Sequence, residues 1–139
     1  MNKILIALML LTIFAVPCMA QTDWRTPNKT DATWEEPTDL VNNTPILPAD
    51  VLTYKMHIKN ADGSNETEVA SGVLCCTYTF SFPGEGQYYI GVQATRSVAS
   101  NGLMIDSVIA WSDDLFVTKT GAFGFNMYFP PKLPFNLSP

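Results

Sequence analysis

From Leu52 onward, apolar and polar positions alternate in short runs. Leu52, Tyr54, Met56 and Ile58 fall on one side of a period-two pattern, and Thr53, Lys55, His57 and Lys59 on the other. That is the signature of a half-buried β-strand. The run from Asn60 to Asn65 contains Asp62-Gly63, which supplies the positive-φ residue of a tight turn. Leu74, Cys76, Tyr78, Phe80 and Phe82 then alternate with Cys75, Thr77, Thr79 and Ser81, predicting the best strand of the chain. Pro83-Gly84-Glu85-Gly86 turns it. Tyr88, Ile90, Val92 and Ala94 form the next inward face, with Tyr89, Gly91 and Gln93 outward. Ser107–Ser112 predicts a last short strand before Asp113-Asp114. No window from Gln21 onward holds a helical period. Short strands at regular spacing, joined by turns, predict an all-β sandwich.

The ends of the chain read differently. Met1–Ala20 has a positive Lys3, an apolar stretch from Ile4 to Val16 and a small residue before Gln21, the layout of a cleaved secretory signal peptide. Its apolar stretch is shorter than the ~20 residues that span a bilayer, so the expectation is a secreted or periplasmic product without stable membrane insertion. The layout is then a leader over 1–20, an N-terminal segment over 21–31, one domain over 32–114 and an aromatic, proline-rich tail over 115–139. Apolar residues make up 47% of the 139 and charged residues 15%, a balance that argues against a disordered tail. A net charge of −5 with scattered Lys and Arg excludes a nucleic-acid or anionic-lipid footprint.

The run Phe82-Pro83-Gly84-Glu85-Gly86-Gln87-Tyr88-Tyr89-Ile90-Gly91-Val92-Gln93-Ala94 resembles the E–F corner of a fibronectin type III domain, an immunoglobulin-like β-sandwich. Tyr88 falls on the corner tyrosine, whose hydroxyl the resemblance implies bonds back to upstream backbone. Trp34-Glu35-Glu36-Pro37-Thr38 is similar to the end of that family's strand B, and Leu52-Thr53-Tyr54-Lys55-Met56 to its strand C. Ser107–Ser112, with Trp111, is similar to strand G. The resemblance covers Ala32 to Asp114 and implies structural roles for Trp34, Tyr54, Tyr88 and Trp111. Few residues precede Trp34, so strand A is short, displaced or missing.

Candidate chemistry is sparse. His57 is the one histidine and lies on an outward face between Lys55 and Lys59, which predicts a solvated side chain. Alternation sends Cys76 into the core and Cys75 outward as separate thiols; the other reading is a vicinal, redox-active pair. Glu35-Glu36 and Asp113-Asp114 put adjacent acids on opposite faces of a strand, which builds no ion site. No cofactor is implied. Sequons stand at Asn28, Asn42, Asn65 and Asn136 and are read as unused.

The tail crowds Phe116, Phe123, Phe125, Tyr128, Phe129 and Phe135 among prolines. Either it folds back over the sandwich where strand A is deficient, or Phe123, Phe125, Tyr128 and Phe129 dock on a partner. Packing of the tail on the edge of a neighbouring copy would make it a route to self-association. The expected function is a non-catalytic binding or spacer module acting on a protein or polysaccharide. The alternatives are a small thiol/redox protein using Cys75-Cys76, or a structural subunit assembling by strand exchange.

Overall fold

The computed structural model describes residues 21–25 and 31–129; the leader expected over Met1–Ala20, the sequons at Asn28 and Asn136, and Phe135 with the last prolines lie outside the described residues. The described chain is all-β. Its strands are β1 (Asp23–Arg25), β2 (Asp31–Thr33), β3 (Val51–Asn60), β4 (Thr67–Val73), β5 (Thr77–Thr79), β6 (Gly86–Ser97), β7 (Met104–Asp106), β8 (Ala110–Trp111) and β9 (Phe123–Met127). A seven-stranded sheet runs β1-β9-β6-β3-β4, with β7 and β8 also on β6, and a two-stranded sheet holds β2 and β5. Among the described residues, no helix is long and apolar enough to cross a membrane.

β3 and β6 form the spine. They pair antiparallel from Val51↔Ser97 to Asn60↔Tyr88 without a break. Their inward residues Tyr54, Met56, Ile58, Tyr88 and Ile90 are all buried, as the period-two pattern requires. Ala32 of β2 closes on them, with Phe80 and Phe82 from the segment that follows β5. Phe82 stacks on Tyr88 at 4.9 Å between ring centroids and meets Phe125 at 5.6 Å. Trp34 leans on Tyr54 at 5.1 Å. This is one sandwich core, fed mainly by the larger sheet.

The far edge of β6 is shared by three short strands: β9 pairs with Gly86–Tyr88, β8 with Gly91 and Val92, and β7 with Thr95–Ser97. In effect they are one strand interrupted twice. The expected strand over Ser107–Ser112 is split because Asp106 faces Thr95 while Ala110 faces Val92, leaving one residue extra on the outer chain. That is a β-bulge. Ser107 fills it, donating its N–H to Ala94 O (2.8 Å) while its Oγ accepts from Ala94 N–H (3.0 Å).

The second interruption is the loop 112–122. Its neck is closed by Phe123 N–H to Ser112 O at 2.9 Å, and Ser112 is itself tied to the Ile90 backbone. The sheet therefore continues beyond Asp114, and Phe123–Met127 of the expected tail is strand β9.

Two further expectations change. The run from Leu74 to Phe82 is not one strand, because residues 75 and 76 form a turn between β4 and β5. Leu74 is 71% exposed, while Phe80 and Phe82 keep their inward places. Cys75 and Cys76 are not split across the sheet; their sulfurs meet as a vicinal pair in that turn. β1 lies parallel to β9, with Trp24 opposite Gly124.

Candidate functional site

Among the described residues, one edge of β2 has no neighbouring strand. Trp34 N–H donates to Cys76 O (3.2 Å), which marks the even-numbered residues of β2 as those bonded to β5. The N–H and C=O groups of Asp31 and Thr33 therefore point the other way. Among the described residues, no backbone bond reaches them. Directly beneath that edge lies a cleft of about 580 Å³ whose floor includes Ala32, Trp34, Ile90, Val92 and Phe123. Ile90 and Val92 belong to the inner face of β6, so the cleft opens onto the sandwich core. Lys119 from loop 112–122 reaches across to an ion pair with Glu35, and Arg25 sits over the Phe123 ring at 4.6 Å from its centroid. Apolar floor, charged rim and an unused strand edge are the parts of a strand-accepting groove.

β1 is held on the larger sheet, beside β9. Trp24 lies over Gly124 and stacks on Tyr89 (5.3 Å, 28° between planes). A Cβ built on Gly124 meets the Trp24 ring at 2.5 Å, so only glycine leaves the indole room to lie flat. The same device recurs two residues along β6. A Cβ on Gly91 meets Trp111 at 2.8 Å and Ile109 at 2.6 Å. Lys59 completes the patch, its Nζ 4.4 Å from the Trp111 centroid, 5.6 Å from that of Tyr89 and 2.9 Å from Asp113 Oδ2. These contacts cover the outer face of the large sheet with a second aromatic cluster.

His57 is part of that cluster, and its expected solvation is overturned. It faces Gly91 across the sheet, so Trp111 is free to close over it edge-on at 6.3 Å, leaving it 7% exposed. Its Nε2 has no hydrogen-bond partner. Among the described residues, no carboxylate or hydroxyl is hydrogen-bonded to it. Trp111 itself lies on this outer cover, not in the sandwich core.

Of the other residues singled out in the sequence, Trp34 and Tyr54 pack together in the core. Burial pushes the Tyr54 phenol up, and the Glu36 charge adds to it. The Tyr88 hydroxyl donates to Gly84 O at 3.1 Å, at the corner between β5 and β6. The four aromatics considered for docking divide. Phe125 is 1% exposed in the core and Phe123 is half-buried on the cleft floor, so neither is available to a partner as a free side chain. Tyr128 and Phe129 remain exposed, with Phe129 N–H bonded to Glu85 Oε1 at 2.7 Å. Reading the sequence missed Trp24, Gly91 and Gly124. Their trace was glycine at outward positions of aromatic-rich strands. Among the described residues, no three of His, Cys, Asp and Glu converge on a common point.

Comparison with protein-family models, with curated proteins and with solved structures finds no match to this chain.

Proposed function

We propose that this chain is an exported, non-catalytic binding module of the fibronectin type III kind that takes an extended strand onto β2. The observation that carries the reading is the apolar cleft directly under an unpaired strand edge. An added strand gains backbone bonds from Asp31 and Thr33 while its alternate side chains fill the cleft. On the fibronectin type III reading, β1 is strand A moved to the opposite sheet, and the cleft is the place it leaves. The Tyr88–Gly84 bond and the Trp34 packing support that reading. The covered ring of His57 supports the non-catalytic half.

The outer cluster of Trp24, Tyr89, Lys59 and Trp111 favours a polysaccharide as a second reading, since sugars stack on aromatic faces. Against it, the rings spend their faces on one another, on Lys59 and on the sheet.

The two readings separate in one titration. Extended peptides with alternating apolar residues should shift the backbone resonances of Asp31–Thr33, and Val92→Glu should abolish the shift. Soluble glycans that instead perturb Trp24 and Trp111, with β2 unmoved by every peptide, would overturn the strand-accepting assignment.

A further inference from the structure

We infer that the strand taken up at β2 is Leu133–Leu137 of a second copy of this chain. The inference rests on the strand-accepting reading above and adds the identity of the donor. A donor must be extended and must present apolar side chains at alternate positions over about the length of the cleft. Ten residues follow Phe129, and they include Lys132-Leu133-Pro134-Phe135-Asn136-Leu137-Ser138. Leu133, Phe135 and Leu137 share one face of a period-two strand; Lys132, Pro134, Asn136 and Ser138 share the other. Three apolar side chains thus match a floor of Ala32, Trp34, Ile90, Val92 and Phe123.

Pro134 also fixes the direction. Proline has no N–H, so it fits an edge strand only where that position faces solvent. The bonding groups of β2 belong to its outward residues, Asp31 and Thr33. In an antiparallel pair, outward residues bond outward residues directly opposite, and Pro134 would then be asked for an N–H it lacks. In a parallel pair, each residue bonds the two that flank its opposite number. The bonds to Asp31 and Thr33 then come from Leu133, Phe135 and Leu137, and Pro134 turns its nitrogen to water. The donor runs parallel to β2.

Pro130-Pro131 points to a second copy over the same one. Each proline fixes its own φ and holds the residue before it extended. Phe129 is already bonded at the corner by Glu85. Two prolines in succession therefore favour continued extension, whereas reaching its own β2 from Phe129 needs a reversal. Donor and acceptor surfaces differ, so the contact is head-to-tail and builds open chains unless the rotation closes them into a ring.

The test uses the full exported chain from Gln21. Light scattering after size exclusion should show a mass that rises with concentration through dimer to larger species, and Phe135→Glu should hold the protein as monomer. A synthetic peptide of residues 130–139 added to that monomer should slow amide exchange at Asp31 and Thr33 by tenfold or more. A spin label on Lys132 of the peptide, replaced by cysteine, should broaden signals near Asp31 more than near Thr33. Wild-type protein that stays monomeric, with Thr33 protected relative to the Phe135→Glu variant, would place the segment in its own chain and overturn the second-copy assignment. If other alternately apolar peptides protect Thr33 and the 130–139 peptide does not, the donor is wrong and the groove stands. Protection of β2 by no peptide at all removes both.

Discussion

The two sheets of this sandwich are built to different standards. In the larger, β3 and β6 pair along ten residue positions, and both faces of the pair are covered. The core lies on one side; Trp24, Tyr89, Lys59 and Trp111 lie on the other. In the smaller, β2 and β5 share three residue pairs, and one edge of β2 stands over an open cleft. β1 joins the larger, pairing with β9 where Gly124 gives the Trp24 indole a flat seat against Tyr89.

Phe125→Ala tests the stronger side most severely. Phe125 is almost wholly buried and meets both Phe82 and Phe123, so a loss of ~3–5 kcal/mol in urea unfolding is expected. A cost under about 1 kcal/mol would show that β9 is peripheral to the core.

Next come the glycine seats. Gly124→Ala and Gly91→Ala each place a methyl within 2.8 Å or less of a ring carbon or a neighbouring methyl, which should cost ~1–3 kcal/mol. Tryptophan fluorescence should shift red as the displaced ring meets water. Unchanged emission together with unchanged stability would contradict the seating of Trp24 and Trp111.

The smallest expected effect is on pH. The Ala99 N–H bonded to Asp50, with Arg96 beside it, holds that carboxyl below its usual value. Lys55 and Thr95 do the same for Asp106. A carboxyl depressed on folding contributes stability that is present above the ordinary value near 3.8 and lost as pH falls below it. Lys55 is raised above 10.5 by Asp106, so its share is present below that pH and lost above it. The melting temperature should therefore fall on both flanks, and Asp106→Asn should flatten the acid and the alkaline falls together. A variant that keeps both slopes would show that the 104–106 strand is not held through this pair.

How much of this was legible in the sequence follows the range of each interaction. Tyr54, Met56 and Ile58, or Tyr88 and Ile90, declare their face by alternation within one strand, and the structure buries all of them. The break at Cys75-Cys76 was not legible, because the alternation runs straight through the turn. His57 was misread for a related reason: its own strand points it outward, and the cover comes from Trp111 lying across Gly91 on a different strand. Phe123 and Phe125 looked like a tail because loop 112–122 separates them from β8, although Ser112 and Phe123 meet at its neck. The seat that holds β1 joins Trp24 to a glycine one hundred positions away. Periodicity carries no information about such a pair.

The contrast between the sheets is tested most directly by native-state amide exchange on the Phe135→Glu chain. Amides of β3 and β6 in the Tyr54–Ile58 and Tyr88–Val92 pairing should exchange only through global unfolding. Thr33, facing the open edge, should exchange faster by several orders of magnitude, with Ala32 and Trp34 between the two. That gradient from spine to edge is the predicted result. Thr33 exchanging as slowly as Met56 would mean that β2 already has a strand beside it, and the account of an open, strand-accepting edge would be wrong.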